Sequence, residues 1–278
     1  MIAGSRQTRA FLLFLTPSLV FLTVLFAYPV GKVLLVSVTD PELGLQNYRL
    51  LIENAALRRV FLTTVRIAGL TTLIAVAVGY VLAYRMHTAG ERELRLIIFF
   101  LMFPLWTSVL VRAFSWVTLL QSNGIVNGIL IGTGLTERPI QLVRNEIGVL
   151  IGMVHVMIPY ATLPIYAVMK GIDARLPQAA RSLGASSLQT FVRIFFPLTL
   201  PGIGAAMILV FITSIGFYVT PIVLGGGKVV MIAEYISVQI TETLRWGLGA
   251  MLATVLLAIV LLFVFAFRRL TVLREQGA

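Results

Sequence analysis

An all-α membrane protein with six transmembrane helices is the fold class predicted by the sequence, and three observations predict it. Hydrophobic residues fill 59% of the 278 positions, charged residues only 12%, and the mean hydropathy of +0.98 is beyond an ordinary soluble domain. Apolar runs of about 20 residues, long enough to cross a hydrocarbon layer of about 30 Å, recur along the chain. The charges are also sorted by side. If the N-terminus is cytoplasmic, one face carries Arg6, Arg9, Arg85, Arg92, Arg95, Lys170, Arg175, Arg181, Arg193, Arg268, Arg269 and Arg274 against only Glu91, Glu93, Asp173 and Glu275. On the other face Arg49, Arg58, Arg59, Arg138, Arg144, Lys228 and Arg245 are balanced by Asp40, Glu42, Glu53, Glu137, Glu146, Glu234 and Glu242. The positive-inside rule then puts both termini in the cytoplasm, so the formal charge of +11 reports topology and not a nucleic-acid partner.

The first run, Phe11 to Val38, follows Arg6 and Arg9 as a signal peptide would. It exceeds a signal core and no small-residue cleavage site follows, so it reads as a retained anchor. The other spans are expected near Phe61 to Tyr84, Leu96 to Leu120, Ile147 to Met169, Leu198 to Leu224 and Trp246 to Phe267. Long loops at Thr39 to Val60, Gln121 to Glu146 and Gly225 to Arg245 suit an outer face that meets an external protein. Gly148 with Gly152, and Gly202 with Ala205 and Ala206, form small faces on which transmembrane backbones approach closely. The expected division is residues 1–58 (cytoplasmic stretch, first helix, first outer loop), 59–270 (a five-helix core with a cytoplasmic loop at 171–197) and 271–278 (a tail).

Several chemistries are excluded or poorly supplied. Cysteine is absent, which removes thiolate metal sites, disulfides and cysteine nucleophiles, and only His87 and His155 are available as imidazole ligands. No Asp or Glu falls inside a predicted span, which argues against a proton-coupled carrier. Gly225, Gly226, Gly227 and Lys228 imitate a phosphate loop, but Ile222 occupies the position of the first glycine and Val229 that of the Ser or Thr. No catalytic constellation, cofactor site or metal site is recognised, and the chain is not expected to be an enzyme.

The segment from Gly171 to Pro201 interrupts the apolar sequence. Pro177 suits the first turn of a helix, Leu176, Ala179, Ala180 and Leu183 share a face, and Gly184 suits a left-handed terminus. Ser186 with Gln189 is a capping-box pattern, so a second helix is expected to carry Leu188, Phe191, Val192 and Phe195 inward. Pro197 and Pro201 mark the start of the fifth span. This is a helix, sharp turn, helix device on the cytoplasmic surface, its small alanines a poor membrane anchor and a good knob for a groove in another protein.

The segment resembles the signature loop of binding-protein-dependent ABC importer permeases: Glu-Ala-Ala, three residues, Gly, nine residues, Ile, one residue, Leu-Pro. Gln178, Ala179, Ala180, Gly184, Ile194, Phe196 and Pro197 keep every spacing, with Gln178 replacing the acid and Phe196 the leucine. Pro104 to Asn127, Ala180 to Ile203 and Leu224 to Ile240 are similar to the spermidine and putrescine branch of that family. The resemblance implies a type I importer permease fold in a bacterial inner membrane, with Gln178, Ala179, Ala180, Gly184, Ile194 and Pro197 coupling to an ATPase. It also implies a second homologous permease, an external solute-binding protein and two ATPase subunits that hold ATP and Mg in place of this chain. The implied solute is a small organic molecule, with a polyamine-like cation favoured and an amino-acid derivative or organic acid as the alternative. A secondary carrier or channel is the competing class. Trp106, Arg112, Trp116, Phe217 and Tyr218 are expected along the path, where aromatics gate or stack on an organic cation. Arg112 would repel a polyamine, which keeps the alternative solutes open.

Overall fold

The computed structural model describes residues 15–275. Arg6 and Arg9, the beginning of the expected first span and the last residues of the tail lie outside them. Every regular element among the described residues is helical. In order these are α1 (Leu15–Thr39), α2 (Gln46–Glu53), α3 (Ala55–Thr88), α4 (Glu91–Trp106), α5 (Val109–Leu120), α6 (Ile125–Gly132), α7 (Glu146–Lys170), α8 (Arg175–Ser182), α9 (Ser187–Ile215), α10 (Val219–Gly225), α11 (Ile232–Thr241) and α12 (Trp246–Glu275). Among the described residues six segments are long and apolar enough to cross a membrane: Leu15–Thr39, Ala55–Thr88, Val109–Gly132, Glu146–Lys170, Ser187–Ile215 and Trp246–Phe267.

The chain divides into two compact units, Met1–Arg58 with Ile236–Ile259, and Arg59–Tyr235 with Val260–Ala278. In the first, Ser37 and Tyr48 tie α1 to α2 through their hydroxyls, 2.9 Å apart. Buried Asn47 donates to the Asp40 carbonyl at 2.8 Å, and the Asp40 carboxylate accepts from the Gly247 N–H at the start of α12. Loop backbone that cannot pair with itself is thereby satisfied by side chains.

The second unit is built around α7, against which α3, α5, α9 and α10 pack. One core cluster joins Ala75 and Ala83 of α3, Met157, Ala161 and Ile165 of α7, and Phe195, Ala206 and Val210 of α9. The other joins Ile67, Leu120, Val149, Met153, Leu224 and Met231. The expected small faces sit at close approaches: a Cβ at Gly152 would fall 2.4 Å from Leu224 Cδ1, and one at Gly202 would fall 3.0 Å from Val168 Cβ. Arg66 of α3 pairs with Glu146 in the first turn of α7, and Asn145 caps α7 by accepting from the Gly148 N–H at 2.9 Å. The negative Glu146 side chain also complements the positive end of the α7 dipole.

Three sequence expectations are corrected. The predicted span from Leu96 to Leu120 is two helices: α4 continues two residues past Pro104, the Thr107 N–H and hydroxyl both turn back to the Pro104 carbonyl, at 3.3 and 2.8 Å, and Thr107 runs extended. The predicted span to Leu224 stops at Ile215, where Gly216 ends α9, and α10 follows as a separate short helix. The three stretches expected to be outer loops contain α2, α6 and α11. The glycine turn does form, with Gly226 and Gly227 at φ +52° and +76°.

Candidate functional site

The element between α7 and α9 is specified at each terminus by hydrogen bonds. Pro177 lies in the first turn of α8, where a missing N–H leaves no carbonyl unpaired. At the other end the Ala185 N–H reaches the Ala180 carbonyl at 3.1 Å and the Gly184 N–H reaches Arg181 at 3.0 Å, with Gly184 at φ +88°. This pair of bonds is a Schellman motif, and it satisfies carbonyls that the helix end would otherwise leave free. The chain restarts at Ser186, whose hydroxyl accepts from the Gln189 N–H at 3.2 Å while the Gln189 side chain accepts from the Ser186 N–H at 3.0 Å. Two helices are therefore held by a turn with little freedom.

Of the coupling residues, Gln178, Ala179 and Gly184 are exposed, Ala180 is buried, Ile194 is half-buried and Pro197 is exposed. The face expected to point inward does so only in part. Phe195 is buried and Phe191 half-buried, whereas Leu188 and Val192 are 71% and 52% exposed. Val192 lies in a π-helical turn at Phe191–Phe195, closed by the Phe196 N–H on the Phe191 carbonyl just before Pro197, whose extra residue departs from a 3.6-residue period. Leu188 precedes that turn, in the α-helical stretch Ser187–Thr190. On α8 and at its C-cap, Leu176 and Leu183 are likewise 48% and 89% exposed, so the apolar face of this helix is covered only at Ala180.

Behind the element lies a cleft of about 380 Å³ bordered by Tyr84, His87 and Thr88 of α3, Gln178 and Arg181 of α8, and Phe191 and Phe195 of α9. Tyr84 meets Phe191 and Phe195 edge-on, with centroids 5.5 and 5.7 Å apart, and the His87 ring lies 5.2 Å from Phe195. These ring contacts join the end of α3 to the start of α9. Sequence reasoning missed Tyr84 and His87, which are separated from the loop by some ninety residues and carry no local signal.

The expected path residues do not form one group. Trp106 is 80% exposed at the end of α4, Tyr218 is exposed, and Phe217 packs between the two cores. Arg112 and Trp116, one turn apart on α5, do come together with α7. The Trp116 indole N–H donates to His155 Nδ1 at 3.2 Å, and Arg112 lies in electrostatic range of His155 and Tyr160. His155 and Tyr160 were not expected here; the signal available was an ionisable ring inside an apolar span. Among the described residues no group of three or more His, Cys, Asp or Glu gathers to hold a metal.

The family described as "Binding-protein-dependent transport system inner membrane component" matches residues 75–271, more than half of the chain. The chain belongs to that family. Its relatives include the spermidine/putrescine transport system permease protein PotB of Haemophilus influenzae, 32% identical over 225 residues (81% of this chain, 78% of the relative). The PotB of Escherichia coli K12 is 34% identical over 206 residues, 74% of each chain. A solved bacterial ABC transporter involved in import of the acidic polysaccharide alginate superimposes with a TM-score of 0.74 at 20% identity, covering 98% of this chain and 100% of its own. A second, the bacterial alginate transporter in complex with a pentasaccharide-bound periplasmic protein, gives 0.78 at 18%, covering 96% of each chain. The fold is that of a type I ABC importer permease, and the permease is a multi-pass transport subunit, not an enzyme.

Proposed function

We propose that this permease passes a small organic solute from an external binding protein to the cytoplasm, driven by ATP hydrolysed on two partner ATPase subunits that hold ATP and Mg. The observation that carries the reading is the α8–α9 element: a turn fixed by Schellman and capping-box bonds, with Leu176 of α8, Leu183 at its C-cap and Leu188 of α9 exposed for a partner to cover. ATPase closure presses on Gln178, Ala179, Ala180 and Gly184, and the aromatic contacts of Phe191 and Phe195 with Tyr84 pass that motion to α3 and α9. Ile194 and Pro197 set the junction at which α9 leaves the element. A second, homologous permease completes the path, and both termini face the cytoplasm. Functionally, residues 1–58 form an anchor and outer segment, 59–270 the core and 271–278 a tail.

The names of the relatives favour a polyamine-like cation as solute. Arg112 favours the second reading, an amino-acid derivative or organic acid, because it sets an unpaired positive charge among the spans. The test of coupling is reconstitution with ATPases and binding protein. Solute uptake is expected to require ATP, and Gly184→Asp is expected to leave ATP hydrolysis running while uptake falls at least tenfold. Uptake that proceeds without ATP, or an intact loop that recruits no ATPase, would sink this reading.

A further inference from the structure

Arg112 occupies a position that ordinary packing does not favour. Its Nε and Nη1 are buried and bear no hydrogen bond. A guanidinium with unpaired N–H groups away from water is costly unless an acceptor arrives. It stands at the end of the first turn of α5, whose N-cap Ser108 makes no side-chain cap, so the dipole of its own helix opposes its charge. Among the described residues, the spans hold no carboxylate other than Glu146 at the very start of α7, and Glu146 is paired with Arg66.

The neighbours of Arg112 are donors too. Trp116 can only donate, so His155 Nδ1 accepts, and the neutral imidazole carries its proton on Nε2. Tyr160 adds a phenol O–H. His155 lies nine residues into α7, about 13 Å from its first residue at 1.5 Å per residue, well inside the span. It also borders a cavity of about 360 Å³ whose walls include Leu82, Ile97, Leu101 and Ile158. Glu93, also on that wall, is already held by two bonds from Arg85, at 2.6 and 2.7 Å. Arg112 and Tyr160 thus neighbour one another, and Arg112 neighbours His155, which itself borders room for an apolar stem.

We infer that Arg112, His155 and Tyr160 form a carboxylate-recognition site in the transport path, so that the solute carries a carboxylate on a short aliphatic stem. This rests on the permease reading above and names its substrate class. The guanidinium binds the carboxylate as a charge-assisted pair, His155 and Tyr160 donate to its remaining lone pairs, and Trp116 fixes the imidazole tautomer as a positioning residue. A bare polyamine offers these groups no acceptor.

The test uses the complete importer in nanodiscs without nucleotide, with equilibrium binding of 4-aminobutanoate, butanedioate and putrescine; 4-aminobutanoate and putrescine differ only in one end group. At least one carboxylate is expected to bind, at least tenfold more weakly to Arg112→Gln and with partial retention in Arg112→Lys, while putrescine gains nothing from Arg112. Tyr160→Phe should weaken the carboxylate several-fold with the complex intact. The inference is overturned if neither carboxylate binds, if putrescine binding depends on Arg112, or if Arg112→Gln and Arg112→Lys leave carboxylate binding unchanged. It also falls if the wild type binds no carboxylate and Arg112→Gln dissociates the partner permease, since an acid across that interface then pairs with the guanidinium. Because the measurement needs no ATP turnover, its failure is distinct from failure of ATP-driven import, which the uptake assay reads.

Discussion

At the residue scale, the sharpest demand on side-chain identity is Gly184. Its φ of +88° lies in the left-handed region, although a Cβ there would meet no atom within 4 Å. The cost of any other residue is therefore conformational and not steric, about 1 kcal/mol or more. Gly184→Ala should loosen the turn without unfolding the spans, read as faster amide exchange at Gly184 and Ala185 with unchanged helical content. Glu234 makes a different demand. It is buried outside the spans, its Oε2 has no partner, and burial pushes its carboxyl up against a smaller opposing effect from the Met231 backbone. A carboxyl whose folded-state value exceeds its unfolded one imposes no penalty below the ordinary carboxylate range. Stability is lost as pH rises through the folded value. Glu234→Gln should accordingly raise the apparent melting temperature at about pH 8 and have little effect near pH 4, where the wild-type carboxyl is already protonated. A wild-type midpoint that rises with pH over that interval, with no slope removed by the substitution, would refute this.

At the scale of elements, α8 and the first turn of α9 are short pieces whose stability rests on their caps, so the cap is the place to perturb them. Ser186→Ala removes the acceptor for the Gln189 N–H and should cost about 1 kcal/mol locally. The expected outcome is fraying of Ser187–Thr190, seen as faster amide exchange there, with uptake falling more than ATP hydrolysis. The capping box and the left-handed glycine were legible in the sequence because both are local: three or four residues contain the whole interaction. The inward face of Leu188 and Val192 was misread: Val192 lies within the π-helical turn, which departs from a 3.6-residue period, Leu188 lies before it in the exposed first turn of α9, and hydrophobic spacing alone registers neither. The break at Thr107 was hidden for a related reason. Pro104 is tolerated inside α4, and only the bonds turning back from Thr107 show that the helix ends there. The pairing of Trp116 with His155, 39 residues apart, depends on how α5 lies on α7, which no local pattern encodes.

At the scale of the whole molecule, apolar length predicts that the chain spans a membrane, while orientation depends on the Arg and Lys distribution. The absence of cysteine makes that orientation directly measurable, because a single introduced thiol has no background within this chain. Leu135, after α6, and Leu183, in the coupling turn, are 73% and 89% exposed, and the charge bias puts them on opposite faces. In intact cells a membrane-impermeant maleimide should label Leu135→Cys and leave Leu183→Cys unlabelled; in inside-out vesicles stripped of ATPase the pattern should reverse. Adding the ATPase back should then protect Leu183→Cys, since the same leucine that reports the cytoplasmic face lies on the surface proposed to be covered. Labelling of Leu183→Cys from outside would invert the topology and remove the coupling element from reach of any cytoplasmic ATPase. Correct sidedness without protection would leave the topology intact and place the ATPase contact elsewhere on the molecule.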